Sequence, residues 1–268
     1  MAVQPCRHLL CGHDISKAFV VERWPIIGKP RKQFTALEKV SFHIDEGETV
    51  GIVGESGSGK STLGEILGGL RTCTEGSVHY KAVNIRDMNR NQFRVFRRNV
   101  QFIFQDPKGS MHPYFRIRDI IGEPLKTLKL CSDREEISSL VEEMLAQVGL
   151  DKDIADKYPG QLSGGQCQRV AIARALIVNP QIIICDEAVS ALDVSVQAQI
   201  LNLLKDLQRK HRMAYIFISH DIGVVNYMAD RIVVMNRGSI VETGTAEQVF
   251  ITPTHPYTKK LVASSFVN

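Results

Sequence analysis

The hydrophobic pattern divides the chain into three parts, and the first and last parts consist mainly of short apolar runs. Strands are predicted in the first part at 39–44, 49–53, 76–80 and 100–104, and in the last part at 181–186, 214–219 and 231–235. A helix is predicted from Lys60 to about Leu70, and further helices separate and follow the late strands. The near-continuous apolar run QIIICD at 181–186 is typical of a parallel sheet buried on both faces.

The middle part has the period of a helix. Apolar residues between 133 and 148 recur on one helical face: Ile137, Leu140, Val141, Met144, Leu145 and Val148. Ser132 and Glu135 match a capping box in front of this helix, and Gly149 is expected to end it. The succession of elements predicts one α/β core with a helical subdomain inserted at about 106–175.

Composition places the chain among ordinary globular proteins. The 44% hydrophobic and 23% charged residues exclude a mostly disordered, collagenous or fibrous chain. A formal net charge of +4 is too small to indicate nucleic-acid binding by itself. The six scattered cysteines favour a reducing compartment over a disulfide scaffold. We expect neither a signal peptide nor a membrane span, because no apolar run of the required length occurs.

A glycine-rich loop between a predicted strand and a predicted helix carries candidate phosphate-binding chemistry. The loop fits the pattern G-x-x-x-x-G-K-[ST] and consists of Gly54, Glu55, Ser56, Gly57, Ser58, Gly59, Lys60, Ser61 and Thr62. Backbone N–H groups in such a loop can surround phosphate oxygens, and the dipole of the next helix favours negative charge. We expect Lys60 to bridge the β- and γ-phosphates and Ser61 to ligate Mg²⁺. A glycine-rich turn without a ligand is the alternative.

Two acids end the apolar strand at 181–186. The carboxyl end of a strand is where open α/β sheets bind ligands. Asp186 suits Mg²⁺ coordination, and Glu187 suits a general base or a water-orienting group. Two solvated acids at a strand end are the alternative interpretation, which the neighbouring phosphate-loop motif disfavours.

Further motifs, in a fixed order, make the sequence resemble the nucleotide-binding subunit of an ATP-binding-cassette (ABC) transporter. They are Gln105 after VQFIF, LSGGQ at 162–166, SALD at 190–193 and His220 after AYIFIS. The resemblance spans about 14–262 and implies an α/β fold: a P-loop NTPase (RecA-like) core, an N-terminal antiparallel β subdomain and an inserted α-helical subdomain. The nucleotide-binding domain would cover 14–252, after a flexible segment at 1–13 and before a short tail at 253–268.

The resemblance also implies a role for each motif. The catalytic residues would be Glu187, His220, Lys60 and Gln105, with ATP as substrate and Mg²⁺ held by Ser61, Gln105 and Asp186. The LSGGQ residues Ser163, Gly164, Gly165 and Gln166 would contact ATP bound to the opposite subunit, and Asp193 would lie at the dimer interface. One subunit would therefore hold half of each site, and function would require a head-to-tail dimer.

The adenine base has one candidate platform. Phe19, in the stretch KAF, resembles the family's aromatic position, where a ring stacks on the base. Trp24 and Phe34 are further candidates. The alternative is that Phe19 only packs in the hydrophobic core.

Several stretches resemble the ATPases of oligopeptide, dipeptide and nickel importers. They are GESGSGKST, VQFIFQDP, YPGQLSGGQ, SALDVSVQAQILNLL and TPTHPYTKKLVAS. The resemblance implies a second ATPase subunit, which in this group is usually a different chain, together with two permease subunits and an extracellular binding protein. It implies no nucleic-acid partner and a peripheral position on the cytoplasmic face of the membrane. Ala188, Met111, His112 and Cys167 depart from the group's usual residues. An exporter ATPase and a non-transport ATPase acting on nucleic acid or ribosomes are the alternatives.

Metal-ligand residues are concentrated at the N-terminus. Cys6, His8, Cys11 and His13 are close in sequence, but no second ligand pair stands at a standard spacing. We therefore favour a flexible segment there over a structural metal site.

Overall fold

The structure is a computed structural model that describes residues 7–20 and 33–265. Its strands are β1 (Leu10–Val20), β2 (Gln33–Ile44), β3 (Thr49–Val53), β4 (Glu75–Tyr80), β5 (Val83–Asn84), β6 (Val100–Ile103), β7 (Ile182–Asp186), β8 (Ala214–Ser219), β9 (Arg231–Asn236) and β10 (Ser239–Thr245). Its α-helices are α1 (Lys60–Leu67), α2 (Arg90–Asn99), α3 (Ile117–Thr127), α4 (Arg134–Gln147), α5 (Gly164–Leu176), α6 (Val194–His211), α7 (Ile222–Met228), α8 (Ala246–Ile251) and α9 (Pro256–Ser265).

The chain forms two compact units. The first contains residues 1–89 and 217–268, and the second contains residues 90–216. The boundary falls within β8, so its residues 214–216 belong to the second unit and 217–219 to the first. Each unit is described separately below.

The first unit contains an antiparallel sheet and a set of core strands. The sheet has the order β2-β1-β4-β5, with β1 antiparallel to both β2 and β4. Among the core strands, β3 is parallel to β9, and β9 is antiparallel to β10. All five residues of β3 are buried, which explains why its sequence, TVGIV, has no polar alternation.

The second unit contains a parallel strand pair and most of the helices. Strands β6 and β7 pair in register from Val100 opposite Ile182 to Ile103 opposite Cys185. The range predicted to form a helical subdomain, about 106–175, holds α3, α4 and most of α5. It also holds two short 3-10 helices, Lys152–Asp156 and Pro159–Gln161. Cys185 is fully buried in β7, and burial raises the pKa of its thiol.

Three of the differences from the predicted boundaries concern helix α1, the cap of helix α4 and the start of strand β1. Helix α1 ends at Leu67 and not near Leu70, because Gly69 adopts a φ of 68° and its N–H bonds back to the helix. Helix α4 is capped by Asp133, which accepts from the N–H groups of Glu135 and Glu136, so the predicted box on Ser132 is wrong. Strand β1 begins at Leu10 and therefore runs through the boundary predicted at residue 14.

No helix of the described residues combines the length and the apolar composition that crossing a bilayer requires.

Candidate active site

The glycine-rich loop lies in the first unit, between β3 and α1. Gly59 has a φ of 102°, and a Cβ there would lie 2.6 Å from the carbonyl oxygen of Ala36. The backbone of β2 therefore passes too close for any larger residue. The N–H of Gly238 donates to the carbonyl oxygen of Ser58 at 3.0 Å, which ties the loop to the turn after β9. These contacts fix the loop backbone from both sides.

Lys60 opens α1 and is held by the loop itself. Its side chain is only 4% exposed, and its Nζ donates to the carbonyl oxygens of Gly54 at 2.8 Å and Glu55 at 2.9 Å. The buried hydroxyl of Ser58 has no hydrogen-bond partner within the described residues. A fixed cation, a helix N-terminus and an unsatisfied hydroxyl fit the phosphate groups of a nucleotide.

A tail residue supports the loop from the far end of the chain. The backbone N–H of Glu55 donates to the hydroxyl oxygen of Tyr257 at 2.9 Å, across 202 positions of sequence. Burial raises the pKa of this hydroxyl, so Tyr257 is neutral at pH 7. The turn before α9 is anchored by Glu242, which accepts from Thr254 at 2.7 Å and from the N–H of His255 at 3.0 Å. The sequence analysis did not find Tyr257, because no local pattern marks such a contact.

The first unit also holds two other predicted residues. His220 is exposed and directly follows β8, and Asp221 after it caps α7 by accepting from Gly223 at 2.8 Å. Phe19 is half-buried on β1, with the Arg71 guanidinium 5.1 Å and the Lys17 ammonium 5.4 Å from its ring centre.

Phe34, the other aromatic candidate in the described residues, is 55% exposed and pairs with Phe19 across the strands. Trp24 lies outside the described residues. A fully buried core position for Phe19 is therefore excluded, while its role toward adenine stays a prediction.

The acidic pair lies in the second unit, beside the predicted glutamine. Asp186 ends β7, and both it and Glu187 are half-buried. The Gln105 Nε2 donates to the Glu187 Oε2 at 2.9 Å, so residues 82 positions apart meet at the ends of two neighbouring strands. Glu187 has a φ of 48°, and Ser190 donates its N–H and hydroxyl to the Glu187 carbonyl. The turn therefore holds this carboxylate in place.

The LSGGQ motif forms the start of α5. Ser163 caps the helix by accepting from the N–H of Gln166, whose side chain accepts from the N–H of Ser163. A Cβ on Gly165 would lie 2.7 Å from the Cγ1 of Val196, so the helix start packs closely on α6. Cys167 is buried, which raises the pKa of its thiol and indicates a packing role.

Asp193 caps the neighbouring helix, α6. It accepts from the N–H of Val196 at 3.0 Å and from the hydroxyl of Ser195 at 2.8 Å. These two donors, the backbone N–H first, lower the pKa of the Asp193 carboxyl. The position of Gly165 packs against Val196 and that of Gly164 against Leu192, so the LSGGQ segment lies against the SALD segment and the start of α6.

A half-buried arginine connects α5 to the segment after Gln105. Arg174 donates to the carbonyl oxygen of Ser110 at 2.8 Å and to its hydroxyl at 3.0 Å. Burial lowers the pKa of this guanidinium. The segment is braced further by Asp106, which accepts from the N–H of Gly109 at 2.9 Å. The departures Met111 and Ala188 are both buried, and His112 stacks on Phe115 at 4.0 Å between ring centres.

Comparisons with known proteins agree with these motifs. The sequence model described as ABC transporter matches residues 37–190. The oligopeptide transport ATP-binding protein OppF of Salmonella typhimurium is 46% identical over 236 residues, which cover 88% of this chain and 71% of that protein. The dipeptide transport ATP-binding protein DppF of Lactococcus lactis is 46% identical over 231 residues, which cover 85% and 74%.

A solved structure extends this similarity to the fold. It is a dimeric post-hydrolysis state of the ATP-binding cassette MJ0796 bound to ADP and Pi. Its TM-score is 0.77 at 32% identity, covering 88% of this chain and 98% of that one. The predicted α/β fold, with a P-loop NTPase core, an antiparallel β subdomain and inserted helices, is confirmed.

Proposed function

Because this chain belongs to the ABC transporter family, we propose that it is the ATP-hydrolysing subunit of an importer of oligopeptides or dipeptides. The ATPase assignment is supported above all by the Gln105–Glu187 hydrogen bond, which places an oriented carboxylate at the end of β7. The peptide cargo is supported by the names of the relatives, which favour it over the nickel or metal chelates that the sequence alone left open.

The chain's own residues divide the work of hydrolysis between them. Lys60 and the loop backbone bind and orient the phosphates, since the helix N-terminus favours negative charge there. Glu187 takes a proton from the attacking water at its carboxylate, and Gln105 fixes the direction of that carboxylate through Oε2. His220, exposed after β8, is proposed to contact the γ-phosphate.

Mg²⁺ is the expected cofactor. Ser61, Gln105 and Asp186 offer the hydroxyl, amide and carboxylate oxygens that this ion prefers. When bound, Mg²⁺ neutralises charge that develops on the phosphate oxygens.

The remaining proposals concern partners. A second ATPase subunit would supply the LSGGQ residues Ser163, Gly164, Gly165 and Gln166 to the opposite nucleotide, with Asp193 at the shared surface. Two permeases and an extracellular binding protein would complete the importer at the cytoplasmic face of the membrane. The dimeric state of the similar cassette supports pairing with a second ATPase subunit, for which we propose a head-to-tail arrangement.

The assigned base can be tested with one variant and one control. Glu187→Gln should abolish steady-state ATP hydrolysis while ATP still binds, and should leave an ATP-bound dimer detectable by light scattering. Glu143→Gln, an exposed change on α4, is the matched control and should hydrolyse ATP like the wild type. Wild-type turnover by Glu187→Gln would refute the role proposed for this residue.

The cargo needs a separate experiment. The chain is purified from membranes with its permeases and binding protein, and the retained ligand is identified by mass spectrometry. Peptides are the expected ligand, whereas a metal chelate would refute the peptide assignment and leave the ATPase assignment standing.

Phe19 is proposed as the adenine platform. The Phe19 ring is half-buried, and the Arg71 guanidinium lies 5.1 Å from its centre, whereas Phe34 is 55% exposed. These contacts support Phe19 over Phe34. Phe19→Ala should raise the ATP dissociation constant, since base–aromatic stacking contributes about 1–3 kcal/mol. An equal or larger effect of Phe34→Ala would transfer the role to Phe34.

A further inference from the structure

The antiparallel sheet of the first unit brings three metal-ligand side chains together. The register of β1 and β4 places Cys11 directly opposite His79, and His13 follows on the same face of β1. The ligand atoms of these three residues all lie within 4.8 Å of one another. His79 is 66 residues from His13, so the sequence pattern alone shows only two of the three members, Cys11 and His13.

The spacing of these atoms fits one tetrahedral ion. The Cys11 sulfur lies 3.4 Å from the His13 Nε2. With metal distances of about 2.3 Å to sulfur and about 2.0 Å to nitrogen, a tetrahedral Zn²⁺ site separates the two ligand atoms by about 3.5 Å. The observed separation is therefore that of two ligands of the same ion.

The third member of the group has an unsatisfied polar atom. The His79 Nδ1 is buried and has no hydrogen-bond partner within the described residues. A neutral imidazole is the form that binds metal ions. Cys11 itself is 1% exposed, whereas His13 and His79 are half-buried, so the group is open to solvent on the histidine side.

We propose that reduced Cys11, His13 and His79 bind a Zn²⁺-class transition-metal ion, which cross-links β1 to β4. Three protein ligands leave the fourth position to water. This site lies outside the nucleotide-binding residues and does not depend on the function proposed above.

The redox state of Cys11 controls the site. Cys11 is disulfide-bonded in the structure, so a two-electron reductant, a dithiol in the cell or a phosphine in the test tube, must first open the bond, with two protons going to the two sulfurs. The thiol of Cys11 then loses its proton as the ion binds. A reducing environment keeps such thiols available.

Two neighbours of the group provide matched controls. His43 stands opposite Cys11 on β2 but stacks on His8 at 4.2 Å, and it does not belong to the three-residue group. His8 also pairs with Asp45 at 2.7 Å. Of the four N-terminal candidates, the structure therefore selects Cys11 and His13. Cys6 lies outside the described residues.

In the test, the full chain is first reduced with a phosphine. It is then titrated with Co²⁺ as a spectroscopic probe, and Zn²⁺ is added afterwards as a competitor. The wild type should bind about one ion with a thiolate-to-metal charge-transfer band. Cys11→Ser should lose that band, and His79→Gln should bind at least about 10-fold more weakly. His43→Gln should match the wild type.

Further measurements separate metal loss from unfolding. Zn²⁺ should raise the melting temperature of the reduced wild type and of His43→Gln, and it should leave that of His79→Gln unchanged. ATP binding reports on the fold of each variant, and if Cys11→Ser fails to fold, His79→Gln decides alone. Equal Zn²⁺ affinity in His79→Gln and the wild type would overturn the proposal, as would a wild-type Co²⁺ spectrum without the thiolate band.

Discussion

The packing of α5 on α6 makes opposite predictions for two adjacent glycines. A Cβ on Gly165 would lie 2.7 Å from the Cγ1 of Val196, whereas a Cβ on Gly164 would lie 3.6 Å from the Cδ2 of Leu192. The first distance is a steric overlap and the second is an ordinary van der Waals contact. Gly165→Ala and Gly164→Ala therefore form a matched pair of variants within one helical turn.

The expected stabilities follow from two opposing terms. Alanine in place of glycine favours a helix by up to about 1 kcal/mol at either position. At Gly165 the overlap opposes this by about 1–3 kcal/mol, because Val196 is β-branched and has one strongly preferred rotamer in a helix. Gly165→Ala should therefore lie about 1–3 kcal/mol below Gly164→Ala, which is roughly 2–10 °C in melting temperature for a chain of this size.

The assay is thermal unfolding of both variants, followed by a double-mutant cycle with Val196→Ala. Removing the Val196 methyl groups should remove the overlap, so the double variant should be more stable than the sum of the single changes predicts. Gly164→Ala should show no such coupling. Equal melting temperatures for the two glycine variants, together with coupling below about 0.5 kcal/mol, would refute the packing argument.

Two further predictions concern the tail. Tyr257→Phe removes the acceptor for the Glu55 N–H, a hydrogen bond of about 0.5–1.5 kcal/mol, so calorimetry should show ATP affinity reduced by roughly 2- to 10-fold; unchanged affinity would contradict this role. Burial would raise the pKa of Glu242, but hydrogen bonds from Thr254 and His255 lower it from 4.5 to about 2. The stabilising effect of the ionised Glu242 carboxylate is therefore complete above about pH 4.5 and is lost as pH falls toward about 2. The difference in unfolding free energy between wild type and Glu242→Gln, measured by urea denaturation, should shrink over that range. Parallel curves of stability against pH would contradict the argument.

The sequence predicted the core strands more reliably than the N-terminal sheet. Strand β3 matches its prediction because continuous burial leaves a continuous apolar run. Strand β1 was missed because Asp14 has a φ of 46° and the register shifts between Gly12 and Ile15, which breaks the two-residue alternation. A bulged strand carries little of the signal on which such a prediction depends.

The candidate site divides in the same way. The glycine-rich loop and the LSGGQ segment are local patterns, so their residues were found in the sequence. Tyr257 and His79 reach their partners only through tertiary contacts and strand register, which no short motif encodes. The family resemblance named Gln105 and Glu187 separately, and the hydrogen bond between them is visible only in the structure.

The position of Lys60 has a consequence for ligand selection. Its ammonium group already donates hydrogen bonds to two carbonyl oxygens, those of Gly54 and Glu55. An anion that binds Lys60 must therefore interact with the ammonium group more strongly than these carbonyl dipoles do. A small monovalent anion replaces one weak contact with another and gains little. A polyphosphate brings several charges at once and gains more than it displaces. We expect the loop to bind multiply charged anions and to bind the abundant monovalent anions of the cell only weakly.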